Sequence, residues 1–353
     1  MLESLNLSLS SVCAANCIFC PQDRNKRNAR AQKIMPFELA KKIIDEISHE
    51  SFSKKHQITR IEVGENGDVF LNKEAIKLLR YIKFKLPKVK VETFTNFQYF
   101  SEEKAQIILS ERLINSFHCN IDASNERDFF IAKGIKLSVV KENILNFIEM
   151  RKKLHNESSL IIHVLTLNTY INAVRYHLKS YPLKLEDHKV KNIKDDFKII
   201  KKQWEQFLDP KIDAILKTTN PISWAERPAV DWKKLDYKRY SCPNLNRIKE
   251  EAFIAPDGAW YACCYDADNE LILGNVGIDN IDKIYSSRSR EELIERLEKR
   301  EFQKIGGPCK TVNCCQHIYY DGTSIKSSVK SILEIKYPYL CYLLRILKNK
   351  IAF

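Results

Sequence analysis

The chain has 353 residues, of which 58 are lysine or arginine and 45 are aspartate or glutamate, so its formal net charge is +13. Hydrophobic residues make up 44% and charged residues 29% of the sequence, a composition that predicts a globular protein with a sizeable core and argues against intrinsic disorder. No run of 18 apolar residues occurs, so we expect no membrane-spanning segment.

The N-terminal residues alternate apolar and polar side chains, and no basic segment precedes them. They predict a strand and not a signal peptide, so we expect a cytoplasmic protein. In a reducing compartment, the eleven cysteines of the chain are expected to bind metal rather than to form disulfides.

Three cysteines follow the first predicted strand, Cys13, Cys17 and Cys20, in the run C-A-A-N-C-I-F-C. This C-x3-C-x2-C spacing can hold three corners of a cubane iron–sulfur cluster and leaves the fourth iron without a protein ligand. A zinc site would more often show paired C-x2-C knuckles with a fourth ligand nearby, whereas the next histidine or cysteine is His49. An iron with an open position can chelate a substrate or a cofactor.

Segments predicted as strands and as helices alternate along the body of the chain. Strands are predicted at 4–10, 58–63, 89–95, 116–122, 159–166 and 211–217. Helices are predicted at 36–48, 73–85, 102–111, 139–155 and 193–207, where apolar residues recur at helical spacing. Such alternation predicts an α/β fold with a parallel sheet and crossover helices.

The cysteine run resembles the signature of the radical S-adenosylmethionine (SAM) superfamily, C-x3-C-x-Φ-C, with Phe19 as the aromatic residue. The resemblance implies that Cys13, Cys17 and Cys20 bind a [4Fe-4S] cluster whose open iron takes SAM. Reduction by a flavodoxin- or ferredoxin-type donor would cleave SAM to methionine and a 5′-deoxyadenosyl radical, which abstracts hydrogen from the substrate. It also implies a partial (β/α)6 barrel, similar to a TIM barrel, with its chemistry at the C-terminal strand ends.

Three later segments resemble further SAM-binding motifs of this superfamily. V-G-E-N-G-D-V-F-L, after the second predicted strand, is similar to the glycine-rich motif for the SAM amino group, with valine in place of its proline. F-T-N-F resembles T-N-G with Phe97 in place of glycine, and C-N-I-D-A resembles S-x-D-G near the ribose. The SAM contacts that the resemblances imply, besides Phe19, are Gly64, Gly67, Asp68, Thr95, Asn96, Asn120 and Asp122.

Six of the nine glycines and seven of the eleven cysteines follow Ser241, which predicts a loop-rich, cysteine-rich module. The pattern C-x15-G-x4-C, formed by Cys242, Gly258 and Cys263, resembles the opening of SPASM and twitch domains, which carry auxiliary iron–sulfur clusters. A β-hairpin that turns at Asp257-Gly258 is predicted in this stretch.

A full SPASM domain needs seven or eight cysteines for two clusters, but only six follow Ser241 apart from Cys341 in the tail. Four of these six form two pairs of sequence neighbours, which seldom both bind one cluster. The resemblance therefore implies a twitch arrangement, a β-hairpin plus a helix with one auxiliary [4Fe-4S] cluster. Its expected ligands are Cys242, Cys263, Cys309 and Cys315, with Cys314 as the alternative to Cys315. A structural zinc site with the same thiolates is the alternative.

The expected domains are the barrel at 1–220, the module at 221–325 and an apolar, basic tail helix at 326–353. The tail is too short to span a bilayer but has the composition of an interfacial helix, so peripheral membrane contact is one expectation for it. The other expectation is that the tail packs against the barrel or forms a contact between subunits. No nucleic-acid partner is expected, because no basic run interleaved with aromatic residues occurs.

A single auxiliary cluster fits one-electron oxidation of a substrate radical followed by loss of a proton, so we expect a radical SAM oxidoreductase that acts as a dehydrogenase. Twitch enzymes of the family include alcohol dehydrogenases of aminoglycoside pathways.

Basic residues after the third cysteine favour a small anionic, sugar-type substrate: Arg24, Lys26, Arg27, Arg30 and Lys33. A peptide- or protein-modifying maturase is the alternative enzyme, and an iron–sulfur sensor or scaffold is the non-enzymatic alternative. No catalytic base is identified from the sequence.

Overall fold

The computed structural model of the chain describes residues 1–17, 20, 33–65, 67–165, 196–217, 242, 244–264, 266 and 270–310. Several predictions concern residues outside these ranges: Phe19, Cys314, Cys315, the basic residues 24–30, the expected domain boundary near 220 and the tail 326–353. No helix among the described residues is long and apolar enough to cross a membrane.

The predicted α/β fold with an open partial barrel is confirmed. The first six strands are β1 (Ser4–Leu7), β2 (Arg60–Glu62), β3 (Lys90–Phe94), β4 (Ser116–Asn120), β5 (Ser159–Val164) and β6 (Ala214–Lys217). Each pairs in parallel with the next, and each lies within or beside a segment that the sequence predicts as a strand. The carboxyl ends of these strands therefore meet at one edge of the sheet.

Helices cover the outer face of this sheet. The helices of the described residues are α1 (Phe37–Ser48), α2 (Glu50–Ser53), α3 (Ala75–Lys85), α4 (Glu102–Ser110), α5 (Glu126–Lys133), α6 (Leu137–Lys153), α7 (Phe197–Glu205), α8 (Leu245–Glu250), α9 (Ile281–Tyr285) and α10 (Arg288–Glu298). In α1, buried Ala40, Ile43, Ile44 and Ile47 recur at helical spacing, which explains why periodicity finds this helix.

Helix α5 lies outside the predicted helices, because in the short sequence E-R-D-F-F-I-A-K the apolar residues form one continuous run. Its ends are set by local chemistry instead. The Asn125 side chain accepts a hydrogen bond from the backbone N–H of Asp128 at the start of the helix. Gly134, with φ of 66°, ends the helix in the left-handed conformation that glycine adopts readily.

Three further strands extend the sheet beyond β1: β7 (Glu251–Ile254), β8 (Ala259–Tyr261) and β9 (Ile272–Asn275). Strand β7 pairs in parallel with β1, and β8 and β9 follow in antiparallel order. The predicted hairpin is confirmed as β7–β8, since Gly258 has φ of 85° and its N–H donates to Ala255 O. The cysteine-rich module thus continues the barrel sheet.

Candidate active site

The loop after β1 holds the three cysteines of the C-x3-C-x2-C run. Its two ends are tied together, because the Ser11 N–H donates to Lys33 O at 2.9 Å and the Lys33 N–H donates to Ser11 Oγ at 2.8 Å. Within the loop, the Cys20 N–H donates to Cys17 O at 3.1 Å. None of the described cysteines forms a disulfide. The thiols of Cys13, Cys17 and Cys20 therefore belong to one closed loop at the C-terminal edge of β1.

The environment of these thiols fits a [4Fe-4S] cluster. Burial raises the pKa of Cys17 to about 12, and the Lys133 ammonium opposes this rise by favouring a thiolate. The Asn96 amide donates to Cys13 Sγ at 3.5 Å, the kind of contact that stabilises a cluster sulfur. Among the described residues no three thiol, imidazole or carboxylate groups surround one point as a single metal ion requires. Ligands of a cubane lie further apart, because each binds a different iron.

The glycine-rich loop after β2 packs directly on the cysteine loop. A Cβ atom on Gly67 would lie 2.4 Å from Ser10 O and 2.7 Å from Val12 O, so only glycine fits there without displacement. The Asp68 N–H donates to Val12 O at 2.9 Å. Gly64 lies equally close to the next strand, since its Cβ would meet Phe94 O at 2.4 Å. Both glycines assigned to SAM thus lie at the strand edge that carries the cysteines.

Asp68, Thr95 and Asn96 form one hydrogen-bonded group at the ends of β2 and β3. The Asp68 carboxylate accepts from Thr95 Oγ1 at 3.0 Å, from the Asn96 N–H at 3.2 Å and from the Phe70 N–H at 3.0 Å. Burial raises the pKa of Asp68, and these three donors oppose the rise. Because both carboxylate oxygens already accept bonds, Asp68 holds the two loops together and positions the Asn96 amide beside Cys13.

The two residues assigned to SAM after β4 differ in exposure. Asn120 is half-buried at the last position of β4. Asp122 is fully buried: it accepts from Lys133 Nζ at 3.0 Å and from the Leu165 N–H at 3.2 Å. Since its two oxygens are occupied by the protein, the ribose contact implied for Asp122 stays a prediction, whereas Asn120 remains accessible.

The cysteines of the C-terminal module lie in a second, smaller apolar cluster. Cys263, Cys264 and Cys309 are each 8% exposed or less, and Cys242 packs against the same cluster. Burial raises the pKa of Cys309, and the neighbouring Cys242 and Cys263 raise it further, because three thiolates close together repel one another. The structure therefore brings together the three described members of the expected auxiliary set.

The fourth thiol of this cluster, Cys264, has its own partners. Arg247 Nη1 lies 3.3 Å from Cys264 Sγ, and the Asn244 amide lies 3.7 Å from it. The same amide donates to Cys263 Sγ at 3.4 Å. Arg247 also forms a two-point ion pair with Glu251, at 2.7 and 3.0 Å. A donor set of buried thiols with amide and guanidinium groups directed at sulfur fits an iron–sulfur cluster.

Glu65 links the two cysteine sites, and sequence reasoning did not single it out. The Tyr261 hydroxyl, two residues before Cys263, donates to Glu65 Oε2 at 2.7 Å. Burial, together with the nearby Glu62 carboxylate, raises the pKa of Glu65 to about 8, although the hydrogen bond from Tyr261 opposes the rise. Glu65 lies two residues before Gly67, so this one loop contacts both the SAM-cluster loop and the auxiliary module.

The inner face of the barrel is polar, which sequence reasoning also missed. Arg60 on β2 pairs with Glu251 at 2.8 Å, with Glu92 at 3.4 Å and with Glu62 at 3.5 Å. On β4 and β5, His118 Nδ1 lies 3.1 Å from His163 Nε2. The signal was present in the alternation of R-I-E and S-F-H-C-N, where every second residue is polar.

Comparison with protein families identifies two domains. Residues 7–172 match the radical SAM superfamily, and residues 242–316 match SPASM, an iron–sulfur cluster-binding domain. The chain therefore contains a radical SAM domain followed by a C-terminal SPASM iron–sulfur domain. These domains imply [4Fe-4S] clusters and SAM as cofactors. No curated protein is similar enough in sequence to be matched.

Three solved structures are similar to this chain at low sequence identity, and the two with TM-scores above 0.5 share its fold. The structure of anSMEcpe with bound AdoMet is 16% identical, with a TM-score of 0.55 over 99% of this chain and 97% of that one. SuiB of Streptococcus suis bound to S-adenosylmethionine is 14% identical, with a TM-score of 0.52 over 83% of this chain and 68% of that one. BtrN in complex with AdoMet and 2-DOIA is 13% identical, with a TM-score of 0.47 over 86% of this chain and 90% of that one.

Proposed function

We propose that the protein is a radical SAM dehydrogenase that oxidises a small, polar, sugar-type substrate with the help of one auxiliary [4Fe-4S] cluster. The observation that carries the proposal is the position of the loop Gly64–Asp68. Gly67 packs on the loop that bears Cys13, and Glu65 accepts the hydrogen bond from Tyr261 beside Cys263. An electron acceptor at the second site would therefore lie next to the place where a substrate radical forms.

Each part of the site has a role in this proposal. Cys13, Cys17 and Cys20 would hold the SAM-binding cluster, and Cys242, Cys263 and Cys309 with one cysteine beyond the described residues would hold the auxiliary one. When bound, these groups supply a 5′-deoxyadenosyl radical that removes a hydrogen atom and an acceptor for one electron. Asn120, Thr95 and Asn96 lie at the strand ends where the SAM nucleoside would bind.

The inner face of the barrel supports a polar substrate. Arg60, His118 and His163 face the interior together with buried carboxylates, so hydroxyl groups there would find both donors and acceptors. The expectation of an anionic substrate depends on the basic residues 24–33. Of these the structure describes Lys33, which forms an ion pair with Asp257 at 2.6 Å. A negative charge on the substrate thus stays a prediction.

Peptide modification is the second candidate function. Structural neighbours include anSMEcpe with bound AdoMet and Cp18Cys peptide, at a TM-score of 0.51, and SuiB bound to precursor peptide SuiA, at 0.50. Because the identities are 15% and 13%, the likeness shows the fold alone, and a peptide substrate for this chain is the alternative to be tested.

The test is anaerobic turnover of the reconstituted protein with dithionite and SAM. The substrate panel contains hexose phosphates, nucleotide-linked sugars, aminocyclitols and peptides with serine or cysteine. We expect 5′-deoxyadenosine and a sugar-type product lighter by two hydrogen atoms, both measured by mass spectrometry. A peptide product would favour the second candidate. No 5′-deoxyadenosine under any condition would favour an iron–sulfur sensor or scaffold.

Two matched triple variants separate the roles of the cysteine sites. Alanine at Cys13, Cys17 and Cys20 should abolish 5′-deoxyadenosine formation but leave the auxiliary cluster spectrum. Alanine at the three described auxiliary cysteines should leave SAM cleavage intact and abolish the dehydrogenated product. Dehydrogenation that persists without the auxiliary cysteines would contradict the proposal.

A further inference from the structure

Four side chains on the inner face of β4 and β5 form a continuous hydrogen-bonded chain. Ser159 Oγ donates to Ser116 Oγ at 2.8 Å, and Ser116 Oγ lies 3.1 Å from His118 Nε2. His118 Nδ1 in turn lies 3.1 Å from His163 Nε2. The serines are the first residues of their strands, so the chain runs from the N-terminal end of the barrel toward its C-terminal edge.

The open end of this chain lies where the substrate is expected. His163 is directly opposite Asn120 in the pairing of β4 with β5, and Asn120 is the accessible residue among those assigned to the SAM ribose. The Phe94 ring stacks on His118 at 4.6 Å and lies 5.6 Å from His163, which fixes both imidazole planes. Among the described residues, none forms a hydrogen bond with His163 Nδ1.

Both imidazoles are held neutral. Burial lowers the pKa of His118 to about 3, with smaller contributions from His163 and Arg60, and burial lowers the pKa of His163 to about 4. A neutral imidazole can accept a proton at one nitrogen while it donates from the other. Two such rings and two hydroxyls in series therefore form a path along which a proton can move.

The carboxylates of the same region are already engaged. Glu92 and Glu251 pair with Arg60, Glu65 accepts from Tyr261, and Asp68 and Asp122 each accept bonds on both oxygens. Glu62 is buried and lies within 3.5 Å of Arg60. Among the described groups of the interior, His163 Nδ1 is thus a basic atom that can receive a proton from a ligand without breaking a contact within the protein.

We propose that His163 Nδ1 takes the proton that the substrate loses on dehydrogenation, and that His118, Ser116 and Ser159 carry it toward the N-terminal end of the barrel. This inference rests on the proposed dehydrogenase function. The histidine that meets the substrate is the catalytic residue, and the other three act through it.

The reaction balances as follows for a substrate that carries a CH–OH group. One hydrogen atom would pass from carbon to the 5′-deoxyadenosyl radical that bound SAM supplies, and one electron would pass to the auxiliary [4Fe-4S] cluster that the cysteines of the C-terminal module would hold. The hydroxyl proton goes to His163 Nδ1 as the C=O bond forms. The Nε2 proton of His163 then moves to His118 Nδ1, and that of His118 Nε2 moves to Ser116 Oγ. The hydroxyl proton of Ser116 passes to Ser159 Oγ after the two hydroxyls have turned so that Ser116 donates, and Ser159, which is partly exposed, releases its own proton to water.

A weak base suffices for this step. The hydroxyl proton leaves together with the electron, because a free protonated carbonyl would be a strong acid of high energy, so an imidazole of low basicity that is in place to accept the proton lowers the barrier. The low basicity also means that the positive charge does not stay on His163. The relay leaves both rings in the other neutral tautomer, so the starting tautomers must be restored before Nδ1 accepts another proton.

The test compares His163→Gln and His118→Gln with His155→Gln, a matched change at an exposed histidine after α6. The substrate is the compound of the panel that the wild type dehydrogenates. We expect both interior variants to lower product per 5′-deoxyadenosine by about 100-fold, the usual effect of losing a general base. SAM cleavage and iron content should stay at the wild-type level. Imidazole added to His163→Ala should restore part of the product.

A readout independent of turnover accompanies the kinetics. NMR of isotope-labelled histidine rings in the full-length protein should show one shared N–H···N proton that is lost in both interior variants and kept in His155→Gln. Wild-type product ratios in His163→Gln would overturn the relay and leave the dehydrogenase proposal standing. A wild type that forms 5′-deoxyadenosine but no product lighter by two hydrogen atoms would overturn the proposed function and the relay with it.

Discussion

The Tyr261 hydroxyl donates a 2.7 Å hydrogen bond to Glu65 Oε2 and so joins the cysteine-rich module to the glycine-rich loop of the barrel. Parallel pairing of β7 with β1 fixes the same two parts through the backbone. The carboxyl that accepts this bond is largely removed from water, which is why its pKa rises to about 8. The contact between the two modules is therefore sensitive to pH.

Glu65→Gln should flatten the pH dependence of stability. The folded pKa of Glu65 is about 8 and its ordinary value is 4.5, so the folded protein binds the proton more tightly than the unfolded chain does. The resulting stability is fully present below the ordinary pKa and is lost as pH rises toward 8. Thermal unfolding midpoints across this range should fall more steeply in the wild type than in Glu65→Gln.

The matched control for this change is Glu142→Gln, at an exposed position of α6. It should keep the wild-type slope of melting temperature against pH, because its side chain is exposed and lies outside the contact between Glu65 and Tyr261. An unchanged slope in Glu65→Gln would show that Glu65 does not hold its proton in the folded protein.

Gly67→Ala should impair assembly of the SAM-binding cluster. The new Cβ would lie 2.4 Å from Ser10 O and 2.7 Å from Val12 O, and backbone atoms cannot rotate away as a side chain can. The loop that begins at Cys13 must then shift. We expect fewer irons per chain and a weaker cluster absorbance after anaerobic reconstitution.

Gly277→Ala is the control for that experiment, because its Cβ would meet only side-chain atoms, Asn275 Oδ1 at 2.9 Å and Leu39 Cδ1 at 3.8 Å. It should keep the wild-type iron content. Full iron loading of Gly67→Ala would contradict the close packing of the two loops.

The alternation of predicted strands and helices is enough to predict the parallel sheet, because each strand segment has clear ends and each long helix has apolar residues at helical spacing. The contacts between side chains inside the barrel cannot be predicted in this way. His118 and His163 are 45 positions apart, and only the register that sets Asn120 opposite His163 brings them together. The sequence shows alternating polarity on β4 but does not show that the polar face is closed by other strands.

At the end of β3, this chain has Phe97 where the motif that it resembles has glycine. The structure gives the reason for the glycine: Phe97 has φ of 60°, in the left-handed region. Its ring is fully buried and packs on Phe100, Phe117 and Phe147, with centroids 5.2, 6.1 and 5.9 Å away. In this chain, aromatic packing offsets the backbone cost that glycine would avoid.

Phe97→Gly should therefore be more stable than Phe97→Ala. Loss of the ring costs about 3–5 kcal/mol in either variant. Alanine retains the left-handed strain of roughly 1–2 kcal/mol, which glycine removes. Phe117 is at an ordinary strand position in β4. There the glycine variant should be less stable than the alanine variant by about 0.5–1 kcal/mol, which is the usual order. Denaturant unfolding measures all four variants, and the same order at both positions would contradict the strain at Phe97.

Two asparagines donate to cysteine sulfur in equivalent ways, one at each site. Asn96 Nδ2 lies 3.5 Å from Cys13 Sγ, and Asn244 Nδ2 lies 3.4 Å from Cys263 Sγ. Hydrogen bonds to ligand sulfur and nearby charge set the reduction potential of an iron–sulfur cluster. The two amides are therefore expected to tune the two clusters separately.

Aspartate at either position removes the N–H donor, keeps the side-chain shape and adds negative charge. Asn96→Asp retains the acceptor oxygen for the Gln98 N–H, which the native side chain binds at 2.8 Å. It should move the reduction potential of the SAM-binding cluster to more negative values and leave the auxiliary cluster unchanged. Asn244→Asp should move the reduction potential of the auxiliary cluster to more negative values and leave that of the SAM-binding cluster unchanged. Each variant is therefore the control for the other. Potentiometric titration followed by electron paramagnetic resonance measures both, and equal shifts at both clusters in either variant would refute separate tuning.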